Sequence, residues 1–467
     1  MSIATAPPAP PSAPSTVTTS PRSRHAAVTA LHVLFWASVA MSVMLFVLWG
    51  GIATMVDLGS TMRGLGMITG LIGTDLVLVM LVLAARIPWL DQLIGHDTAI
   101  AYHRKLGKPA LYLILAHAAL LIGGAAVLDG FDVVGATITI LTDLDNFLAS
   151  IGLLLFVVVV VSSIVAAVRK WSYEAWYVIH LLSYIAIVLA LPHQSIPGAV
   201  LADGSWRYAY WLTLYGIAFG SLLLFRVLLP VGRSLFHGLK VSRVEHIAPG
   251  VASIYLTGRR VESLRIRGGQ YALWRFWGAK TWWHAHPISF SATPTPNTLR
   301  ITVRDLGDGS RALTNVNPGT RVTFSGPFGI FTNQARTAPH AVLISAGIGV
   351  TPIRAFLEDA ALSPGEATVI LRHSGSDPTY LWDEIHALAE ESGTRVIEMR
   401  GHRPPGTTTW ISATASAEQL TLESMLPDLT DSDLYVCGPI AWTELVVRDA
   451  RAAGVPNHQI HVEQFDW

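Results

Sequence analysis

The sequence predicts a bundle of six membrane-spanning helices, then a β-barrel domain, then a parallel α/β domain. Three observations predict this. The 467 residues are 51% hydrophobic and only 14% charged, with a mean hydropathy of +0.45, well outside soluble usage. Six apolar runs of about twenty residues, the length a hydrocarbon core demands, occur before residue 232 and none after it. Beyond that point short β-type runs broken by Gly and Pro appear, and from about His340 strand alternates with helix, the pattern of a parallel α/β sheet.

Taken in order, residues 1–30 are rich in Pro, Ser, Thr and Ala and are expected to be a disordered tail. The membrane domain is placed at 31–232, with spans at 31–53, 66–85, 106–128, 147–168, 174–192 and 209–229. The first run is longer than the core of a signal peptide and reads as a retained span. Arg22, Arg24, Arg86, Arg104, Lys105, Lys108, Arg169 and Lys170 fall on one side of these spans. The opposite connections hold Asp57, Asp129, Asp132, Asp143, Asp145 and Asp203, with Arg63 and Arg207 as their basic residues. The positive-inside rule then puts both termini in the cytoplasm. Zero formal net charge gives no sign of a nucleic-acid partner. The single cysteine, Cys437, excludes an intrachain disulfide and a four-cysteine iron–sulfur cluster.

Ionisable groups inside a bilayer are costly and usually functional. The third span carries His103 and His117, fourteen residues apart, and the fifth carries His180 and His193, thirteen apart. At 1.5 Å per residue each pair defines two levels about 20 Å apart. Both spans run in the same direction, so His103 faces His180 and His117 faces His193. Neutral imidazoles on both sides of an iron are bis-histidine haem coordination, which leaves no open iron position, so an acceptor would take electrons at the haem edge. The thirteen-residue phase closes poorly, but Pro192 distorts the helix there. Histidines serving only helix packing are the plain alternative, and His25, His32 and His96, without partners at matching depth, are read that way.

The barrel domain is placed at 233–337 and the α/β domain at 338–467. HPISFSATP (286–294) offers His286, Pro287, Ile288 and Ser289 on an extended segment, where a hydroxyl can reach the N5 edge of a flavin. Tyr271 is a candidate ring partner. Arg304 and the GDGS turn with Gly309 and Ser310 suit a pyrophosphate. GPFG (326–329) reads as a tight turn closing the barrel. In the last domain AVLISA runs into GIGVTP, where Gly347 and Gly349 let a nucleotide approach and Thr351 and Pro352 open a helix. VCGP brings Cys437 and Gly438 to a strand's C-terminal edge, where ligands of open α/β sheets bind; Cys437 lies beside a nicotinamide ring or is simply a buried thiol. Arg372 is placed to hold a 2′-phosphate, with Arg400 and Arg403 nearby, and NADH stays open beside NADPH.

The residues HRKLG with His103, His117, WYVIH with His180, His193, HPISFS, GPFG, GIGVTP and CGP together resemble the ferric reductase and NADPH oxidase superfamily. Its members fuse a six-span haem bundle to a ferredoxin–NADP reductase-like module. The resemblance implies two b-type haems on the four histidines, FAD at 286–289 and NAD(P)H at 347–352 and 437–439. It also implies Phe465 stacked on the flavin, with Asp466 and Trp467 following it. Ile288 stands where many members have phenylalanine. The expected protein is a plasma-membrane NAD(P)H oxidoreductase delivering electrons to a small-molecule acceptor, ferric iron or dioxygen. A flavin reductase anchored by a haem-free bundle is the rival. The sequence does not give the oligomeric state.

Overall fold

The computed structural model describes residues 21–169, 171, 173–195, 200–278, 283–375 and 378–464. Its first part is helical: α1 (Pro21–Leu48), α2 (Leu58–Ala84), α3 (Pro88–Ile94), α4 (His96–Asp129), α5 (Val133–Leu141), α6 (Leu144–Arg169), α7 (Tyr173–Leu189), α8 (Trp206–Leu222) and α9 (Leu229–His237). Among the described residues six helical stretches are long and apolar enough to cross a membrane.

The helix ends differ from the hydropathy reading for local reasons. Residues 21–30 belong to α1, so the expected tail is shorter, and residues 1–20 lie outside the description. α1 stops at Leu48, and Gly50 turns the chain at φ +90°, so the first span does not reach 53. α2 begins at 58 rather than 66 because Asp57 and Ser60 form a reciprocal capping box, which stabilises a polar first turn. The helix of the third span, α4, likewise starts at His96, before its apolar run.

Glycines set the closest packing in the bundle. A Cβ on Gly59, Gly66 or Gly73 of α2 would lie 2.7–3.0 Å from Leu128, Leu121 or Ile114 of α4. This small-residue face brings two backbones together, as in other membrane helix pairs. On the other side of the bundle Gly152 of α6 sits against the Ala186 carbonyl of α7.

The barrel is a six-stranded sheet ordered β4-β3-β6-β1-β2-β5, from β1 (Lys240–Ala248), β2 (Val251–Thr257), β3 (Tyr271–Trp277), β4 (His286–Ser289), β5 (Thr298–Arg304) and β6 (Arg321–Phe328). A bridge between Phe290 and Ile301 links its two ends. GPFG is not a free turn: Gly326–Phe328 continue β6, where Phe328 pairs with Tyr271. Helix α10 (Asp308–Thr314) follows β5.

The last domain is a parallel sheet ordered β11-β10-β7-β8-β9, with β7 (His340–Ala346), β8 (Ala367–His373), β9 (Arg395–Arg400), β10 (Ser432–Cys437) and β11 (Ile460–Glu463). Its helices include α11 (Val350–Asp359) and α12 (Trp382–Ser392). Apolar cores lie on both faces of this sheet, as its continuous hydrophobic strands require.

The domains are tied by specific contacts. Arg300 of β5 binds Glu384 of α12 through both oxygens at 3.0 and 2.9 Å, and Arg354 of α11 meets the same carboxylate at 2.8 Å. Burial pushes Glu384 up, but the two guanidiniums outweigh it and hold the carboxylate below its usual range. A Cβ on Gly268 would lie 2.1 Å from the Ala355 carbonyl, so one glycine of GGQY serves domain packing. Arg233 of α9 donates to the Gly326 carbonyl at 2.8 Å, and the His96 ring stacks on Phe328 with centres 5.5 Å apart. His96, expected to be a bland helix residue, thus joins bundle to barrel.

Candidate active site

The four membrane histidines form two facing pairs. The rings of His103 and His180 have centres 6.0 Å apart, and those of His117 and His193 6.1 Å. Two imidazoles sharing one metal through bonds of about 2 Å, with ring centres about 1 Å further back, are about 6 Å apart. Each gap therefore fits one metal. Two nitrogens are too few donors for a bare ion, so a metal held here would need further donors from a bound group such as a porphyrin.

α2 orients the α4 rings. Nδ1 of His103 donates to the Met80 carbonyl at 3.0 Å, and Nδ1 of His117 to the Gly66 carbonyl at 2.8 Å. A carbonyl only accepts, so Nδ1 carries the proton and Nε2 keeps its lone pair, the usual outer support of a ligand histidine. Gly70 makes room: a Cβ there would lie 2.5 Å from His117 Nδ1.

His180 is backed by Trp176, ring centres 5.0 Å apart, whose Nε1 donates to Ser163 at 3.0 Å. His193 is not on α7. It sits on a 3-10 turn, Pro192–Ser195. Gln194 pins that turn to α8, accepting from Trp211 Nε1 at 2.6 Å and bonding Tyr215. This is why the thirteen-residue phase fails as a guide while the histidines still meet. Sequence reasoning missed Arg226, on a π-helical turn over Leu223–Leu228, where it lies within electrostatic reach of His103 and His180. The interrupted helix is its structural signal.

In the barrel, Pro287, Ile288, Ser289 and Arg304 line one open cleft with Thr302, Leu306, Ile348 and Thr351. The Ser289 hydroxyl is buried without a hydrogen-bond partner, an arrangement that asks for a ligand atom. Tyr271 pairs with Ser289 across the strands, and its ring lies beside Phe328. His286 is buried against Gly309. Burial, then the neighbouring His284, lowers its pKa to about 4, so it is neutral near pH 7. The Ser310 hydroxyl is engaged within its own turn, accepting from the Leu306 N–H and donating to the Gly307 carbonyl.

The nucleotide motifs converge on the carboxyl edge of the second sheet. A Cβ on Gly349 would lie 2.2 Å from the Cys437 carbonyl, and one on Gly347 3.5 Å from Arg304. Pro352 is the third residue of α11, not the first, still within the turn whose N–H groups have no helical acceptor. The Cys437 side chain packs in the apolar core, and burial, with Glu463 nearby, pushes its thiol well above the usual range. What Cys437 and Gly438 present at this edge is backbone. Arg372 is a buried residue whose guanidinium donates through Nε and Nη1 to the carbonyls of Trp410, His373 and Met399, which fixes the sheet edge. Arg403 is exposed there instead. Phe465 lies outside the described residues.

Residues 69–191 match the family model described as ferric reductase like transmembrane component. The chain joins a ferric reductase-like membrane segment to a ferredoxin reductase-like module. The chain is 29% identical over 209 residues to a flavohemoprotein of Xylella fastidiosa, covering 43% of this chain and 51% of that protein. It is 28% identical over 178 residues to ferredoxin–NADP reductase B of Sorangium cellulosum, covering 36% and 71%. The chain spans about half the length of the first of these relatives. Among solved structures, the flavohem-like FAD/NAD binding domain of nitric oxide dioxygenase from Vibrio cholerae is similar at 24% identity and a TM-score of 0.40, covering 49% of this chain and 98% of that one.

Proposed function

We propose that this protein is a transmembrane oxidoreductase that takes hydride from cytoplasmic NAD(P)H and delivers single electrons to a small-molecule acceptor, a ferric chelate or dioxygen, on the far side. The observation that carries the reading is the pair of facing histidine gaps, 6.0 and 6.1 Å, in a bundle fused to a flavin-type cleft. FAD, when bound, splits the two-electron hydride into single electrons, and two b-type haems carry them across the membrane.

The chain's own residues do the rest. His103 and His180 would hold the inner centre and His117 and His193 the outer one, the two α4 rings through Nε2. Met80 and Gly66 carbonyls keep the α4 rings in the ligating tautomer. Ser289 donates its free hydroxyl to the flavin edge, and Arg304 offers charge to the pyrophosphate. Gly347, Gly349 and the backbone at Cys437–Gly438 let the nucleotide lie close to the sheet, with Arg403 available to a 2′-phosphate. The basic residues at the α4 and α6 ends favour a cytoplasmic face shared with both termini.

The test is an absorption spectrum of purified protein before and after anaerobic NADPH. Low-spin b-type bands at about two haems per chain, lost one level at a time in His103→Ala and His117→Ala, support the reading. A haem-free protein with a reducible flavin would leave an anchored flavin reductase. Ferric-chelate and superoxide assays on the same sample separate the two acceptors.

A further inference from the structure

One carboxyl group inside the bundle takes no part in the sites above. Asp75, in α2, is 1% exposed. Ser38 of α1 donates to one of its oxygens at 2.7 Å, and the other is buried without a hydrogen-bond partner. Tyr210 of α8 lies close enough to feel the carboxyl charge. Ser42, fully buried one turn along α1, donates to the Ser38 carbonyl at 3.2 Å.

Its position is specific. Gly70, which abuts His117, and Met80, whose carbonyl holds His103, each lie five residues from Asp75. The carboxyl is therefore about 7.5 Å along the axis from either level and about 140° around the helix from both contacts. Among the described residues the polar groups near it are uncharged Ser38 of α1 and Tyr210 of α8; His103 and His117 of α4 bond to α2 carbonyls five residues or more away. Among the described residues no cation pairs with it.

We infer that Asp75 is a proton-binding site coupled to electron passage, an inference that rests on the two-haem reading above. A ferric porphyrin with neutral axial imidazoles carries one net positive charge, and its ferrous form none. While both centres are ferric, their charge offsets an unpaired carboxylate that hydrocarbon alone would disfavour. When an electron converts ferric to ferrous iron, that offset falls and the carboxylate takes one proton from water to become the acid. When the electron leaves for the acceptor, the proton is released. Loss of one charge at a distance on the order of 10 Å, in a medium of effective dielectric about 20, changes proton affinity about tenfold.

The experiment is a redox titration of the purified holoprotein, followed at the haem α-band over a pH series, for wild type and Asp75→Asn. The wild-type midpoint is expected to fall by about 60 mV in total as pH rises, the equivalent of that tenfold change, and the variant to lose this fall. Redox-difference infrared spectra should show a protonated-carboxyl band on reduction, absent in Asp75→Asn. If Asp75→Asn does not accumulate, Asp75→Glu should retain both the fall and the band at a shifted pH. A haem-loaded protein whose midpoint and infrared spectrum are unchanged by Asp75→Asn, or a wild type with neither signal, overturns this inference. A protein without haem overturns the reading beneath it instead.

Discussion

Gly70→Ala is the sharpest probe of the outer histidine pair. The added Cβ would stand 2.5 Å from His117 Nδ1, 2.8 Å from Cε1 and 3.0 Å from Cγ, where ordinary contact begins at 3.4 Å. The ring must retreat by about 0.9 Å, the difference between contact and approach, which is nearly half of a metal–nitrogen bond of about 2 Å. The same retreat stretches the 2.8 Å bond from His117 to the Gly66 carbonyl. Loss of such an orienting bond weakens metal binding about 10- to 100-fold, or about 1.4–2.8 kcal/mol. Alanine favours helix over glycine by about 1 kcal/mol, so α2 itself is not weakened. Gly107→Ala is the control, because a Cβ there meets nothing within 4 Å. Haem-to-protein ratios from pyridine haemochrome spectra should fall from two toward one in Gly70→Ala and stay at two in Gly107→Ala. A Gly70→Ala protein with two haems and an unchanged spectrum would refute the assignment of His117 as a ligand.

Gly349→Ala drives a Cβ to within 2.2 Å of the Cys437 carbonyl and should abolish NADPH-driven flavin reduction while dithionite still reduces flavin and haem. Equal NADPH rates in variant and wild type would remove the nucleotide from this turn. His286 gives a pH dependence of defined sign: its pKa falls from 6.5 unfolded to about 4 folded, so the unfolded chain binds the extra proton. Stability should then fall as pH drops from 6.5 to 4, by about 3 kcal/mol, and His286→Gln should flatten that part of a thermal-unfolding profile against pH.

The membrane count and the order of the three parts were legible in the sequence because span length and strand alternation are set locally, by the bilayer thickness and by backbone periodicity. The histidine spacings also announced two levels, since rise per residue is fixed. Helix ends were less legible: the Asp57–Ser60 box extends α2 through polar residues that a hydropathy window discounts. Motifs read as ligand sites divided once their neighbours were visible. Ser289 is left with an unsatisfied hydroxyl facing a cleft, whereas Ser310 and Arg372 bond to nearby backbone groups, and Gly268 serves domain packing.

What the sequence determined by itself was the inventory: six spans, four histidines at two depths, and strand-edge glycines in a set order. Only the tertiary structure decided which groups meet. His193 reaches its partner from a 3-10 turn held by Gln194, and Arg226 and Asp75 acquire their places from helices distant in the chain. The physical reason is that periodicity is a property of one element, whereas hydrogen-bond satisfaction and ring-to-ring distance are properties of two elements packed together.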